Sequence, residues 1–124
     1  MTGDSPRARG DAAEDRALAH LLAHGLELVQ RNYRIGGGPR AAGAEIDLIM
    51  RDPGGVLVFV EVRARKDARF GGAAASIGAT KRARLIRAAR TYLMRLPSLP
   101  RCRFDVVTLE DGQLRWIQAA FDAG

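Results

Sequence analysis

Cysteine is nearly absent from this chain: Cys102 is the only one among 124 residues. A single thiol excludes an intrachain disulfide and any zinc site built from clustered cysteines, and it suits a reducing compartment. No apolar run approaches the ~20 residues that a membrane-spanning helix needs, so no membrane partner is expected. Residues 1–9 are polar and lack the apolar centre of a secretory signal, which together with the cysteine usage predicts a cytoplasmic protein. Aromatic residues make up 6% of the chain, and they are not interleaved with cations as in a base-stacking platform. Lysine is scarce as well, with Lys66 and Lys81 the only two among 20 basic residues.

Acidic residues are missing from one long stretch. Between Arg63 and Arg103 there are 12 Lys/Arg and one acid, Asp67, whereas the rest of the chain holds 8 basic and 13 acidic residues. A preference for Arg over Lys follows from a GC-rich genome, but the clustering does not. Charge segregated in this way creates a field that attracts polyanions, of which nucleic acid is the commonest.

What is present is enough for one core. Apolar residues amount to 47% of the chain, and 124 residues suit one domain, expected over 10–124 behind a loose arm at 1–9. The periodicity predicts a helix over 11–24, with Ala17, Leu18, Leu21 and Leu22 on one stripe and Gly25 as its stop. A strand over 26–34 runs into the Gly36-Gly37-Gly38-Pro39 loop. Strands over 44–51 and 56–65 flank the hairpin turn Asp52-Pro53-Gly54-Gly55. A Gly- and Ala-rich loop over 66–78 leads to a second helix over 79–96. Thr80 is a candidate N-cap there, Pro97 is the stop, and the apolar stripe is Leu85, Ile86, Ala89, Tyr92, Leu93 and Leu96. Strands over 103–109 and 114–118 complete the order α-β-β-β-α-β-β, which predicts an α/β fold with helices packed on a mixed sheet. The 56–62 strand is nearly continuous apolar sequence, as expected of a strand buried on both faces.

The hairpin carries the chemistry. Alternation places Glu45, Asp47 and Ile49 on one face of its first strand, and Phe59, Glu61 and Arg63 on one face of its second. A turn centred on Pro53 to Gly55 pairs residues whose numbers sum to about 108: Ile49 with Phe59, Asp47 with Glu61, Glu45 with Arg63. Two carboxylates directly opposite, with Cβ atoms ~5 Å apart, repel unless a proton or a cation lies between them. Apolar neighbours make this face core-like, where uncompensated like charge is costly. An all-oxygen site with few protein ligands suits Mg²⁺, or Mn²⁺. The alternative is a solvated sheet edge with an Asp47–Arg or a Glu61–Arg ion pair.

The blocks Gly43-Ala44-Glu45-Ile46-Asp47-Leu48-Ile49 and Val58-Phe59-Val60-Glu61-Val62-Arg63-Ala64-Arg65 resemble the YraN family of bacterial proteins. The resemblance continues through Arg9-Gly10-Asp11-Ala12-Ala13-Glu14, Arg31-Asn32-Tyr33-Arg34, Phe70-Gly71-Gly72 and Arg103-Phe104-Asp105-Val106-Val107, and it covers about 10–117. That family is assigned to the restriction-endonuclease-like fold of PD-(D/E)XK nucleases and is similar to Holliday junction resolvases. The resemblance implies that Asp47 and Glu61 hold the metal, that Glu14 on the first helix reaches the same site, and that residue 63 acts beside them. Position 63 departs from the pattern, because the motif's Lys is replaced by Arg63. An arginine can clamp phosphate but does not give up its proton as a lysine can. Lys81, near the start of the second helix, is the candidate substitute.

The second helix carries Lys81, Arg82, Arg84, Arg87, Arg90 and Arg95, with Arg84, Arg87 and Arg90 spaced by three. Together with Arg65, Lys66 and Arg69, the residues Lys81, Arg84 and Arg87 are the candidate phosphate contacts, of a kind that is salt-sensitive and blind to sequence; a solvated face is the alternative. Glu14 falls in the middle of an apolar stripe, where an acid needs either a partner or the wet first turn of a helix. The spacing of four between His20 and His24 lacks a third metal ligand. Asp105 alternates with Arg103 and suggests a structural ion pair. Three functions are therefore in play: a divalent-metal-dependent endonuclease acting on branched or structured DNA, with DNA favoured over RNA; a non-catalytic nucleic-acid-binding module on the same fold; and a protein-interaction domain using its basic face. A homodimer is compatible with all three.

Overall fold

The computed structural model describes residues 6–37, 43–65 and 77–123. The chain runs α1 (Pro6–Ala23), β1 (Glu27–Ile35), β2 (Ala44–Arg51), β3 (Leu57–Arg65), α2 (Ala79–Leu93), β4 (Cys102–Glu110) and β5 (Gln113–Phe121). This is the expected α-β-β-β-α-β-β order. The five strands form one sheet in the order β1-β2-β3-β4-β5. Strands β1–β2, β2–β3 and β4–β5 pair antiparallel and β3–β4 pair parallel, so the sheet is mixed. A parallel neighbour cannot be reached by a tight turn, and α2 lies in the required crossover.

Strand β3 shows why both faces are covered. Leu57 and Phe59 belong to a core shared with Leu85, Ala88, Ala89 and Tyr92 of α2. Val58 and Val60 belong to a second core with Ala17 and Leu21 of α1. All four strand residues are buried, each worth roughly 1.5–3 kcal/mol of transfer free energy. The sheet is thus sandwiched between one helix on each face, as the continuous apolar run predicted.

Several boundaries differ from expectation. Helix α1 starts at Pro6, so 6–9, expected within a loose arm, are helical. Proline at the first helical position has its φ preset and needs no amide hydrogen. Its buried line is Ala13, Ala17 and Leu21, while Leu22, expected on the stripe, is exposed. Gly25 does stop it: at φ +90° it lets Leu26 N–H return to Leu21 O at 3.1 Å, a conformation other residues strain to adopt. Helix α2 ends at Leu93 rather than 96 and is capped by Gly78, with no side-chain cap bond, rather than by Thr80. Strand β5 runs on to Phe121, beyond the expected 118. Among the described residues no helix is long and apolar enough to cross a membrane.

The candidate carboxylate site

The hairpin register is the one expected. Leu48 pairs with Val60, Ile49 with Phe59, Met50 with Val58 and Arg51 with Leu57. The ladder stops there, one step short of Asp47 and Glu61. Beyond it the Asp47 carboxylate fills the opening, and its Oδ2 accepts the Val62 backbone N–H at 2.8 Å. Glu45 and Arg63 are not joined by this ladder. Strict alternation also fails at this point. Ala44, Ile46 and Ile49 lie in the α2-side core, whereas Leu48 and Met50 lie in the α1-side core. The strand changes face around Asp47, so Glu45, Asp47 and Ile49 do not share one face as expected.

The neighbouring strand carries the matching irregularity. Asn32 has φ 55°, a left-handed conformation that asparagine tolerates better than most side chains. With its amide nitrogen turned inward, Asn32 donates to Glu14 Oε1 and Glu45 Oε2, each at 3.2 Å. Arg31 Nε donates to Glu14 Oε1 at 3.2 Å, and Arg31 Nη2 to Asp15 Oδ1 at 2.7 Å. Arg34 Nε donates to Glu45 Oε2 at 2.8 Å. Glu14 therefore has partners in the apolar stripe. Burial and the Asp47 charge still hold its pKa above the ordinary value, against the opposing pull of Arg31.

Asp47 is the most perturbed of these groups. Burial, the Glu61 charge and a hydrogen bond between the two carboxyls push its pKa from 3.8 to about 7, with the Val62 N–H pulling the other way. The causes that favour a proton on Asp47, burial and a neighbouring carboxylate, would equally favour a cation there. Glu61 is almost wholly buried on the strand, and its Oε2 lies 3.3 Å from Lys81 Nζ, at the start of α2. Lys81, 18 residues beyond position 63, thus stands beside Glu61 where position 63 itself holds an arginine. Arg63 is half-buried on β3.

The candidate phosphate contacts divide. Lys81 and Arg84 line a pocket of about 270 Å³ beside Glu45, together with Arg34 and Leu85. Arg87 lines a different groove, with Arg90 and Met94, so the spacing of three does not bring these arginines to one place. Arg65 has its backbone paired with Glu110. The Arg65 side chain, Lys66, Arg69 and the 70–72 loop lie outside the described residues.

The model of "Uncharacterised protein family UPF0102" matches residues 13–109. The chain belongs to that family. It is 59% identical to a UPF0102 protein of Methylibium petroleiphilum over 117 residues, 94% of this chain and 96% of the relative. It is 62% identical to one from Albidiferax ferrireducens over 123 residues, 99% and 93% of the two chains. A Cupriavidus taiwanensis UPF0102 protein is 60% identical over 96% of this chain and 86% of its own length. This membership bears out the YraN resemblance. The matched span takes in Glu14, Asp47, Glu61 and Lys81.

Sequence reasoning did not single out Asn32, Arg31, Arg34 or Glu45 as site residues. The available signal was a polar run, Arg31-Asn32-Tyr33-Arg34, inside a strand that otherwise alternates. His20 and His24 lie with tilted rings 4.3 Å apart and edge onto Trp116. Among the described residues no three His, Cys, Asp or Glu side chains gather where they could hold a metal.

Asn32→Ala is expected to cost about 1–2 kcal/mol, combining left-handed strain with two lost hydrogen bonds. Asn32→Gly should cost less, because glycine accepts the backbone. Chemical denaturation of the two variants checks the order; a larger loss for glycine would assign the cost to the side chain alone.

Proposed function

We propose that this chain is a divalent-metal-dependent endonuclease of nucleic acid, with DNA of branched or structured form as substrate. The observation that carries the proposal is the placement of Asp47 and Glu61, two carboxylates one step beyond the last paired residues of the β2–β3 ladder, with Lys81 3.3 Å from one of them. Two such carboxyls offer only oxygen donors, which suits Mg²⁺ or Mn²⁺, with waters and phosphate oxygens completing the shell. The bound ion would supply an activated water and offset charge on the phosphate. Asp47 and Glu61 would hold it, and Glu14, set by Arg31 and Asn32, adds negative charge on the side of Asp47. Lys81 keeps a cation beside Glu61 and is of the residue type that can move a proton, which Arg63 is not. Arg63 is suited to clamp a phosphate oxygen instead. The basic stretch between Arg63 and Arg103 supplies the field that draws the polyanion in, and the single thiol, exposed Cys102, suits action in the cytoplasm.

The test uses labelled linear, single-stranded and four-way-junction DNA, with and without Mg²⁺ or Mn²⁺. Cleavage by the wild type that is metal-dependent and falls at least ~100-fold in Asp47→Asn and Glu61→Gln is the expected result. Lys81→Ala should fall by a similar factor and Arg63→Lys should not. Salt-sensitive binding with no cleavage under either metal would replace this proposal by the non-catalytic module, the reading that Arg63 favours.

A further inference from the structure

The pocket beside Glu45 is lined by the end of β1, the start of β2 and the first turns of α2. Among the described residues its walls carry three cations, Arg34, Lys81 and Arg84, against one acid, Glu45. Two of the cations are held in place by acids. Arg34 is fixed through Nε to Glu45 at 2.8 Å. Lys81 is held 3.3 Å from Glu61. Arg84 is exposed and has no ion-pair partner among the described residues. Gly43 lies on the pocket wall, where an added Cβ would approach the Ile35 carbonyl oxygen to 3.1 Å.

Lys81 belongs to both places at once, touching the Glu61 carboxylate and lining the pocket. The two sites therefore adjoin and share one cation. Among the described residues the pocket has a net positive lining and aliphatic walls from Ile35 and Leu85, and no aromatic ring. That composition suits a phosphate group, which takes several N–H donors at once, better than a stacked base.

The geometry points to a second phosphate subsite in this pocket, where Arg84, flanked by Lys81 and Arg34, takes one phosphate of a nucleic-acid strand whose adjoining phosphate meets the Asp47–Glu61 pair. The subsite rests on the nucleic-acid reading of the carboxylate site, and it makes Arg84 a specificity residue for a polyanionic strand rather than one more member of a diffuse basic face. Arg87 and Arg90, which line the separate groove with Met94, contribute only to the general field.

The experiment measures fluorescence anisotropy of a labelled 12-nucleotide single strand in EDTA over a range of salt, so that no metal and no turnover are needed. Wild type is compared with Arg84→Ala, Arg84→Lys and Arg90→Ala, each checked for an unchanged melting temperature. Arg84→Ala is expected to weaken binding about 10-fold and to lower the salt slope by about one. Arg84→Lys should recover part of the loss, and Arg90→Ala should change affinity less than about 2-fold. Equal losses in Arg84→Ala and Arg90→Ala would overturn the subsite while leaving nucleic-acid binding intact. Absence of any salt-sensitive binding by the wild type would overturn both. A selective Arg84 loss in a protein that never cleaves DNA would keep the subsite and discard the nuclease.

Discussion

Replacing Asp105 with alanine should lower the unfolding free energy by about 3–5 kcal/mol, far more than a surface carboxylate contributes. Asp105 is 1% exposed on β4, and its two oxygens accept four hydrogen bonds. Arg103 Nε reaches them at 3.0 and 3.2 Å, Trp116 Nε1 at 2.9 Å and the Ala119 backbone N–H at 2.9 Å. The last of these lies where β4 and β5 slip in register and Ala119 takes φ 51°. The carboxylate thus satisfies a backbone donor that the irregular ladder leaves without a strand partner. Arg103 then continues the chain of bonds through Nη1 to Asp52 Oδ2 at 3.0 Å. Asp52 Oδ1 accepts the N–H groups of Gly54 and Val56, each at 2.9 Å, and these bonds close the β2–β3 turn. Alanine would strand the Arg103 Nε–H, an indole N–H and a backbone N–H together, each costly to leave unmade. Urea unfolding with an unchanged m-value checks the loss. Asparagine would also cost stability, because its NH₂ would face donors. A loss below about 1 kcal/mol for Asp105→Ala would show that water replaces the carboxylate.

What the sequence made legible depended on local chemistry. Apolar runs, Gly25 and the Asp52-Pro53-Gly54-Gly55 turn act on their immediate neighbours, and they fixed the element order and the hairpin register down to the Ile49–Phe59 pair. Asp105 was legible as an ion pair because Arg103 is two residues away on the same strand. The face change at Asp47 was not legible, since it arises from a paired irregularity in two strands. Asn32 adopts a left-handed conformation and β2 turns over opposite it, and neither residue signals this alone. Lys81 near Glu61 is likewise a tertiary fact: the parallel β3–β4 pairing forces a crossover, and only the crossover brings the start of α2 back to the end of the hairpin. The arginine spacing of three misled for the converse reason. A helical stripe curves around its axis, and here Arg84 and Arg87 open onto separate grooves.

Asp47→Asn should stabilise the protein above neutral pH and leave it nearly unchanged in acid. Burial and Glu61 raise the folded-state pKa of Asp47 from 3.8 to about 7, so the folded chain binds this proton more tightly than the unfolded chain. The sign follows from that difference. Below pH ~4 both states are protonated and the group is neutral in its effect. As pH rises from about 4 to 7, the unfolded chain gives up the proton while the folded chain must keep it, and stability declines. Above about 7 the penalty is complete. Its upper limit is about 4 kcal/mol by the usual conversion, reduced to roughly 1–3 kcal/mol because Glu61 and Lys81 share the charge. Asparagine is neutral at every pH and its oxygen can still accept the Val62 N–H, so it removes the penalty and keeps the backbone bond. Melting curves at pH 8 and pH 4 read the difference directly; equal shifts at both would mean that Asp47 titrates normally. Mn²⁺ supplies the complementary measurement. A cation that takes the place of the proton between Asp47 and Glu61 should raise the wild-type melting temperature at pH 8 and release a proton on binding near pH 6. In Asp47→Asn both effects should be lost, so the carboxylate that weakens the empty fold above neutrality is the one that would hold the ion.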